Sequence, residues 1–218
     1  MSTQQLLPDH YVIDPAILYF GTPVALLSTI DSAGEPNLAP MSSVFWFGKT
    51  AVLGMGGGSQ TSANLLATGE CVINLPSEEM VDAVDRLALT TGRRVVSDRK
   101  RQAGYRYLQD KWGWAGLTAV AGETVNAPRV AECAVQLEGK VHALSTMAKD
   151  DPAERPTYLF QVRIDRVHVA PQIRSRSGVN RIDADRWRPL IMSFQQFYGL
   201  GRRLHPSRLA TIDEEWYR

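Results

Sequence analysis

The chain has 218 residues, 44% of them hydrophobic, and a formal net charge of +1. That length supports one domain with a sizeable core, so residues 1–218 are read as a single domain, with 1–14 an N-terminal arm and 183–218 a C-terminal extension. The charge balance excludes a global basic field for nucleic acid, and no apolar run is long enough to span a bilayer.

The N-terminus shows no basic region followed by an apolar core, so no secretory leader is expected. The two cysteines, Cys71 and Cys133, sit in apolar runs without a zinc-type spacing and read as reduced thiols packed in strands. A soluble, cytoplasmic setting is the expectation. Arginines thicken after Arg163 and read as a solvated face or subunit contact, with an anion contact as the alternative for one of them.

In chain order, Pro15 to Phe20 is read as a short helix, with Asp14 as its cap and Pro15 at its first position. Val24–Ile30 is a buried strand, Asp31–Gly34 a turn, and Pro36–Phe47 a returning strand of a hairpin. Thr50–Met55 is a third strand. Thr61–Thr68 has helix chemistry, capped by Ser59 or Thr61 and closed by Gly69 in the left-handed conformation. Cys71–Leu75 is a fourth strand, and Glu79–Thr90 has helical spacing.

Residues 92–116 read as a helix-and-loop excursion over the body. Ala134–Leu144 and Thr157–Ala170 look like sheet, joined by a charged turn at 149–156, and a last short helix is expected near Asp213–Tyr217. Runs of strands with few helices imply a mainly β fold, a barrel with helical decorations.

Three constellations bear on chemistry. The first is Gly54–Ser59 (GMGGGS), which follows a strand and opens a helix. It is a weak match to a dinucleotide fingerprint: Ser59 replaces the third glycine, and Asn74 stands where an acid should hold a ribose. No lysine follows the glycines, so it is not a Walker loop. Free backbone N–H groups and neutral hydroxyls at Gly56, Ser59, Gln60, Thr61 and Asn64 suit a phosphate monoester instead. A glycine-rich turn with an ordinary helix cap is the structural alternative.

The second is Pro40–Ser43 (PMSS). A proline within a strand-like run implies an edge, a bulge, or a place where another group approaches. The third is the pair Trp112 and Trp114, read as packing residues or as a lid over a ligand. The four histidines are scattered without metal-ligand spacing. No nucleophile elbow or acid–base set is visible, which points to a cofactor carrying the reaction.

These residues resemble the flavin reductase-like family of FMN-binding split barrels. The likeness covers about residues 15–200 and rests on Tyr19–Ser43, Gly54–Ser77, Pro128–Gly139 and Trp187–Gly201. It implies a homodimeric, six-stranded split β-barrel of Greek-key character, with FMN at the subunit interface.

Carried over, Pro40, Met41, Ser42 and Ser43 line the flavin ring, and Gly56, Ser59, Gln60, Thr61 and Asn64 hold the ribityl phosphate. Asn74 and Leu75 close the site. Many relatives have a basic residue where this chain has Gln60, so Arg176 is the candidate counter-charge. The activity implied is NAD(P)H:flavin reduction, with NAD(P)H as co-substrate and a flavin-dependent oxygenase or other redox partner downstream. The alternatives are a flavin-binding electron carrier without its own nicotinamide site, and a split barrel holding another ligand such as haem or a deazaflavin.

Overall fold

The computed structural model describes residues 10–147 and 156–217. The expected turn at 149–156 and most of the N-terminal arm therefore lie outside the described residues. The chain opens with β1 (Phe20–Pro23), β2 (Ala25–Ile30), β3 (Pro36–Met41), β4 (Val44–Phe47) and β5 (Thr50–Gly56). Helix α1 (Gln60–Thr68) and β6 (Glu70–Leu75) follow.

An excursion comes next, made of short pieces: α2 (Val81–Leu87), β7 (Thr90–Thr91), α3 (Asp98–Gln102), β8 (Arg106–Tyr107), α4 (Lys111–Ala115), β9 (Ala119–Val120) and β10 (Arg129–Val130). Two long strands, β11 (Val135–Met147) and β12 (Thr157–Val169), return to the body. The hairpin of β13 (Leu190–Ser193) and β14 (Gln196–Gly199) then docks on β1.

The main sheet has seven strands in the order β3-β2-β6-β11-β12-β5-β4, every neighbour antiparallel. Its two edges, β3 and β4, are halves of one run broken only at Ser42-Ser43. The chain itself links the edges and rolls the sheet into a split barrel. Counted as runs, there are six. Two three-stranded meanders are joined by the α1 crossover, which gives the Greek-key character.

Pro40 sits in β3 opposite Leu26, on a strand paired on one side only. That is where a residue without an N–H is tolerated.

Period-two alternation fills the barrel. Ala25, Leu27, Leu53, Ile73, Phe160 and Val162 point inward as every second residue of their strands. Val24, just before β2, and Leu26 within it are buried as well, under Val84, Leu87 and Trp112 of the excursion. Burial on both faces explains why Val24–Leu27 is an unbroken apolar run.

Several expectations change. No helix forms between Pro15 and Phe20. The segment is largely exposed up to β1, and an isolated turn of helix has no packing to offset its nucleation. The Glu79–Thr90 helix is shorter, a 3₁₀ turn at Glu78–Met80 followed by α2. Cys133 is buried in a loop before β11 rather than in a strand, whereas Cys71 lies in β6. The β13–β14 turn, with positive φ at Phe194 and Gln195, was not anticipated. Among the described residues, no helix is long and apolar enough to cross a membrane.

Candidate functional site

Two features separated in sequence meet at the split. The Pro40–Ser43 corner and the N-terminal end of α1 line one cleft of about 770 Å³. Pro40, Met41, Ser42 and Ser43 form one wall, and Gly56, Ser59, Gln60 and Thr61 another. The hydroxyl of Ser43 is held by the Tyr19 phenol (2.6 Å), and its carbonyl accepts from the Gly54 N–H (2.9 Å). The N–H groups of Ser42 and Ser43 donate to no group among the described residues.

Helix α1 is set by its caps. Ser59 Oγ accepts from the Ser62 N–H (2.9 Å), and Gly69 closes the helix with φ 68°. The turn before it needs glycine at position 57, where a Cβ would lie 2.9 Å from the Tyr158 ring. The N–H groups of Gly58, Gln60 and Thr61 remain without partners among the described residues. They point to an anion site at the positive end of a nine-residue helix.

The side chains there are more committed than the backbone. Thr61 Oγ1 accepts from Asn37 Nδ2 (3.1 Å), and Ser59 Oγ shares a hydrogen bond with Ser62 Oγ (2.8 Å). Asn64 is buried, donating to Thr29 Oγ1 (3.0 Å) and accepting from Gln60 Nε2 (2.7 Å). These bonds fix α1 on β2 and β3, so the free amides keep their positions.

Two cations stand by the α1 start, Lys111 in this cleft and Arg93 in the neighbouring one. Lys111, 3% exposed at the start of α4, donates from Nζ to Leu38 O (2.9 Å) and has no carboxylate partner among the described residues. Burial, reinforced by the charge of Lys100, pulls its ammonium down to about 8. Arg93 reaches the helix start, its Nη2 donating to Ser59 O (3.3 Å).

The sequence matches the profile of the flavin reductase like domain over residues 17–201. The chain belongs to the flavin reductase-like family. It is 33% identical over 192 residues to the uncharacterized protein YdfE of Bacillus subtilis (strain 168), covering 88% of this chain and 90% of that one.

In fold it is similar to the flavoredoxin of Desulfovibrio vulgaris (Miyazaki F), with TM-score 0.72, 20% identity, and coverage of 94% of this chain and 100% of that one. It is also similar to nitrilotriacetate monooxygenase component B from Bacillus cereus, with TM-score 0.71, 19% identity, and coverage of 92% and 100%.

Within this flavin reductase-like fold, the expected site residues fall into two groups. Pro40–Ser43, Gly56, Ser59, Gln60 and Thr61 converge on the cleft, and Asn64 lies just behind Gln60 on a neighbouring cleft. Asn74, Leu75 and Arg176 do not line either cleft. Asn74 is fully buried: its Nδ2 donates to Leu26 O (3.0 Å) and Val72 O (3.2 Å), and its Oδ1 accepts from the Val130 N–H (2.8 Å). Leu75 packs on the barrel core, and Arg176 is exposed in a loop after β12.

The basic residues at the site, Arg93 and Lys111, were missed by sequence reasoning. Their segment folds into five-residue helices and two-residue strands, too short for any periodicity to show. The available signals were the Gly92-Arg93-Arg94 triplet after a helix and the Asp110 cap that fixes Lys111 at a helix start. Trp114 is tied down by a bond from Nε1 to Arg86 O (2.8 Å) and by the Arg106 guanidinium 4.3 Å from its ring.

Proposed function

We propose that the protein is an FMN-binding oxidoreductase, an NAD(P)H:flavin reductase. The observation that carries this reading is the meeting of free amides at Ser42 and Ser43 with free amides at Gln60 and Thr61 in one cleft of a flavin reductase-like chain, with the free Gly58 amide on the neighbouring cleft. The spacing suits a flat heteroaromatic ring at one end and a phosphate at the other.

Bound FMN supplies the hydride-accepting ring. The chain's own groups hold and tune it. The Ser42 and Ser43 amides donate toward the ring edge, the α1 amides hold the phosphate, and Arg93 takes the place proposed for a counter-charge opposite Gln60. The buried Lys111 ammonium favours added negative charge in the cleft. A hydride transfer needs no side-chain acid or base, in keeping with the absence of one from the sequence motifs.

Two further parts belong to this reading. A homodimer is supported by apolar residues left exposed on β4, Phe45 at 59% and Phe47 at 85%. An oxygenase that consumes reduced flavin is supported by the likeness in fold to a protein named as a monooxygenase component. Cytoplasmic placement accompanies both.

Purified protein reconstituted with FMN should show flavin absorbance, and NADH or NADPH should bleach it without oxygen. Absence of flavin binding in both purified and reconstituted protein overturns the reading. Flavin binding with negligible NAD(P)H turnover assigns an electron carrier instead.

A further inference from the structure

The cleft does not stop at the Pro40–Ser43 corner. Beyond it lies an apolar floor, where Val24, Val84, Leu87, Met192 and Phe197 belong to one packed cluster and also line the cleft. Leu89, 49% exposed, adds a bare apolar side chain to the rim. Apolar lining with few polar groups is the chemistry of a seat for a small organic molecule.

Two strained turns bound this end. Among the described residues, Leu89 (φ 55°), Phe194 (φ 45°) and Gln195 (φ 65°) are the non-glycine residues with positive φ. Leu89 and Gln195 both line the cleft, one from the turn between α2 and β7, the other from the turn between β13 and β14. Bulky side chains rarely take this conformation, and where their surroundings enforce it they gather at ligand clamps. Here the enforcement is visible. Leu89 O accepts from the Arg106 N–H (3.0 Å), and the Phe194 N–H donates to Tyr19 O (2.9 Å). Tyr19 also holds the Ser43 hydroxyl through its phenol (2.6 Å), so one residue fixes the hairpin turn beside the Pro40–Ser43 corner.

Polar groups are few at this end. Gln195 is exposed, and its side-chain amide makes no hydrogen bond among the described residues. Asp85 is the one acid among the described residues that line the cleft, and the Lys100 ammonium stands 5.4 Å from the Tyr105 ring centre. Their charges offset, so a neutral occupant is favoured over an ion.

We propose that this end of the cleft seats a neutral aromatic molecule with a carbonyl edge, of the quinone class, as the acceptor of electrons from the bound flavin. This rests on the flavin reading of the cleft, which sets the ring at Pro40–Ser43. The apolar floor takes the body of the acceptor, Leu89 covers it at the rim, and the Gln195 amide donates to its carbonyl oxygen. NADH is the reductant. Over one cycle NADH gives up a hydride, water supplies a proton, and the quinone becomes a hydroquinone. One C–H bond breaks, two O–H bonds form, and NAD+ leaves.

The test uses menadione, a neutral naphthoquinone, and the intact protein with and without FMN. Calorimetric titration should show menadione binding in both states, without displacement by FMN. Leu89→Gly removes the rim side chain and suits the positive φ. Gln195→Asn shortens the amide and also tolerates that φ. Each should raise the menadione Kd about fivefold, as the loss of one contact predicts, with FMN affinity and melting temperature held. In stopped flow without oxygen, reoxidation of the NADH-reduced holoprotein should saturate with menadione concentration.

Menadione binding with both fivefold losses, but without any FMN binding, keeps the seat and removes the flavin reading. Displacement by FMN puts the probe on the ring site and overturns the proposal. So do an absence of binding up to the solubility of menadione, an affinity indifferent to both substitutions, and a reoxidation rate that rises linearly without saturation.

Discussion

Two buried polar regions of this molecule are built by opposite rules. Around Glu138 on β11, every demand is met. The fully buried carboxylate accepts from the Glu123 N–H (3.0 Å), the Thr124 N–H (2.6 Å) and the Thr124 hydroxyl (2.7 Å), hydrogen-bonds His168 Nε2 (2.8 Å), and lies 3.5 Å from Arg129 Nε. Asn74, nearby on β6, is equally satisfied. Around the clefts the opposite holds: Lys111 has one acceptor and no counter-ion among the described residues, and Asn37, Arg93 and Trp112 keep unpaired atoms.

Satisfied polarity locks one conformation, whereas unsatisfied polarity is held ready for something else. The comparison separates residues that look alike in sequence. Asn74 and Asn37 are both strand asparagines, yet Asn37 alone lines the clefts.

The largest test breaks the satisfied region. Burial alone would raise the Glu138 carboxyl, but the hydrogen bonds from Glu123, Thr124 and His168 outweigh it and take it from 4.5 to about 2. Glu138→Ala leaves the Arg129 and His168 groups without their anion and should cost about 3–5 kcal/mol, measured by urea unfolding. Because the folded pKa is depressed, the wild-type contribution is fully present above pH 4.5 and is lost as pH falls toward 2. The Ala variant should lack that step. A loss below about 1 kcal/mol would mean the network is surface-like.

Removing the buried ion of the unsatisfied region should change stability with the opposite sign, although its pH dependence has the same sign. Burial, with the Lys100 charge second, lowers Lys111 from 10.5 to about 8. Between those values the unfolded chain holds a proton that the folded chain has released, so stability should rise as pH climbs from 8 to 10.5. Lys111→Met should remove that rise and stabilise the ligand-free protein at pH 7 by about 1–3 kcal/mol, while FMN affinity falls. Thermal unfolding across pH, alongside flavin titration, reads both. Destabilisation with unchanged FMN affinity would place Lys111 with Glu138 as a structural ion.

The same division explains what the sequence could tell. Strands with alternating or doubly buried faces, such as Ala25–Ile30 and Thr157–Val169, carry their burial in their residue pattern, and so the barrel was legible. So was α1, because Ser59 and Gly69 have conformational reasons to stand at its ends. The two cleft walls, Pro40–Ser43 and the residues from Gly56 to Thr61, were legible as local motifs that the fold brings together. Arg93 and Lys111 were not, because tertiary packing of short irregular pieces aims them. Asn74 drew attention for its place at a strand end, where only the structure shows a side chain pinning Val130 to the sheet.

Ser59 gives the smallest and most discriminating effect, since it lines the cleft but has its oxygen engaged. If its hydroxyl acts as a helix cap, Ser59→Ala should cost about 1 kcal/mol of stability. FMN affinity should then fall less than about threefold, because the amides of Gly58, Gln60 and Thr61 would carry the phosphate and each hydrogen bond is worth about 1 kcal/mol. Thermal unfolding and fluorescence titration separate the two readouts. A tenfold loss of affinity with unchanged stability would move the hydroxyl from the Ser62 amide to the ligand. Ser59 would then belong with Asn37 among the groups held in reserve, and the helix start would be capped by the phosphate it binds.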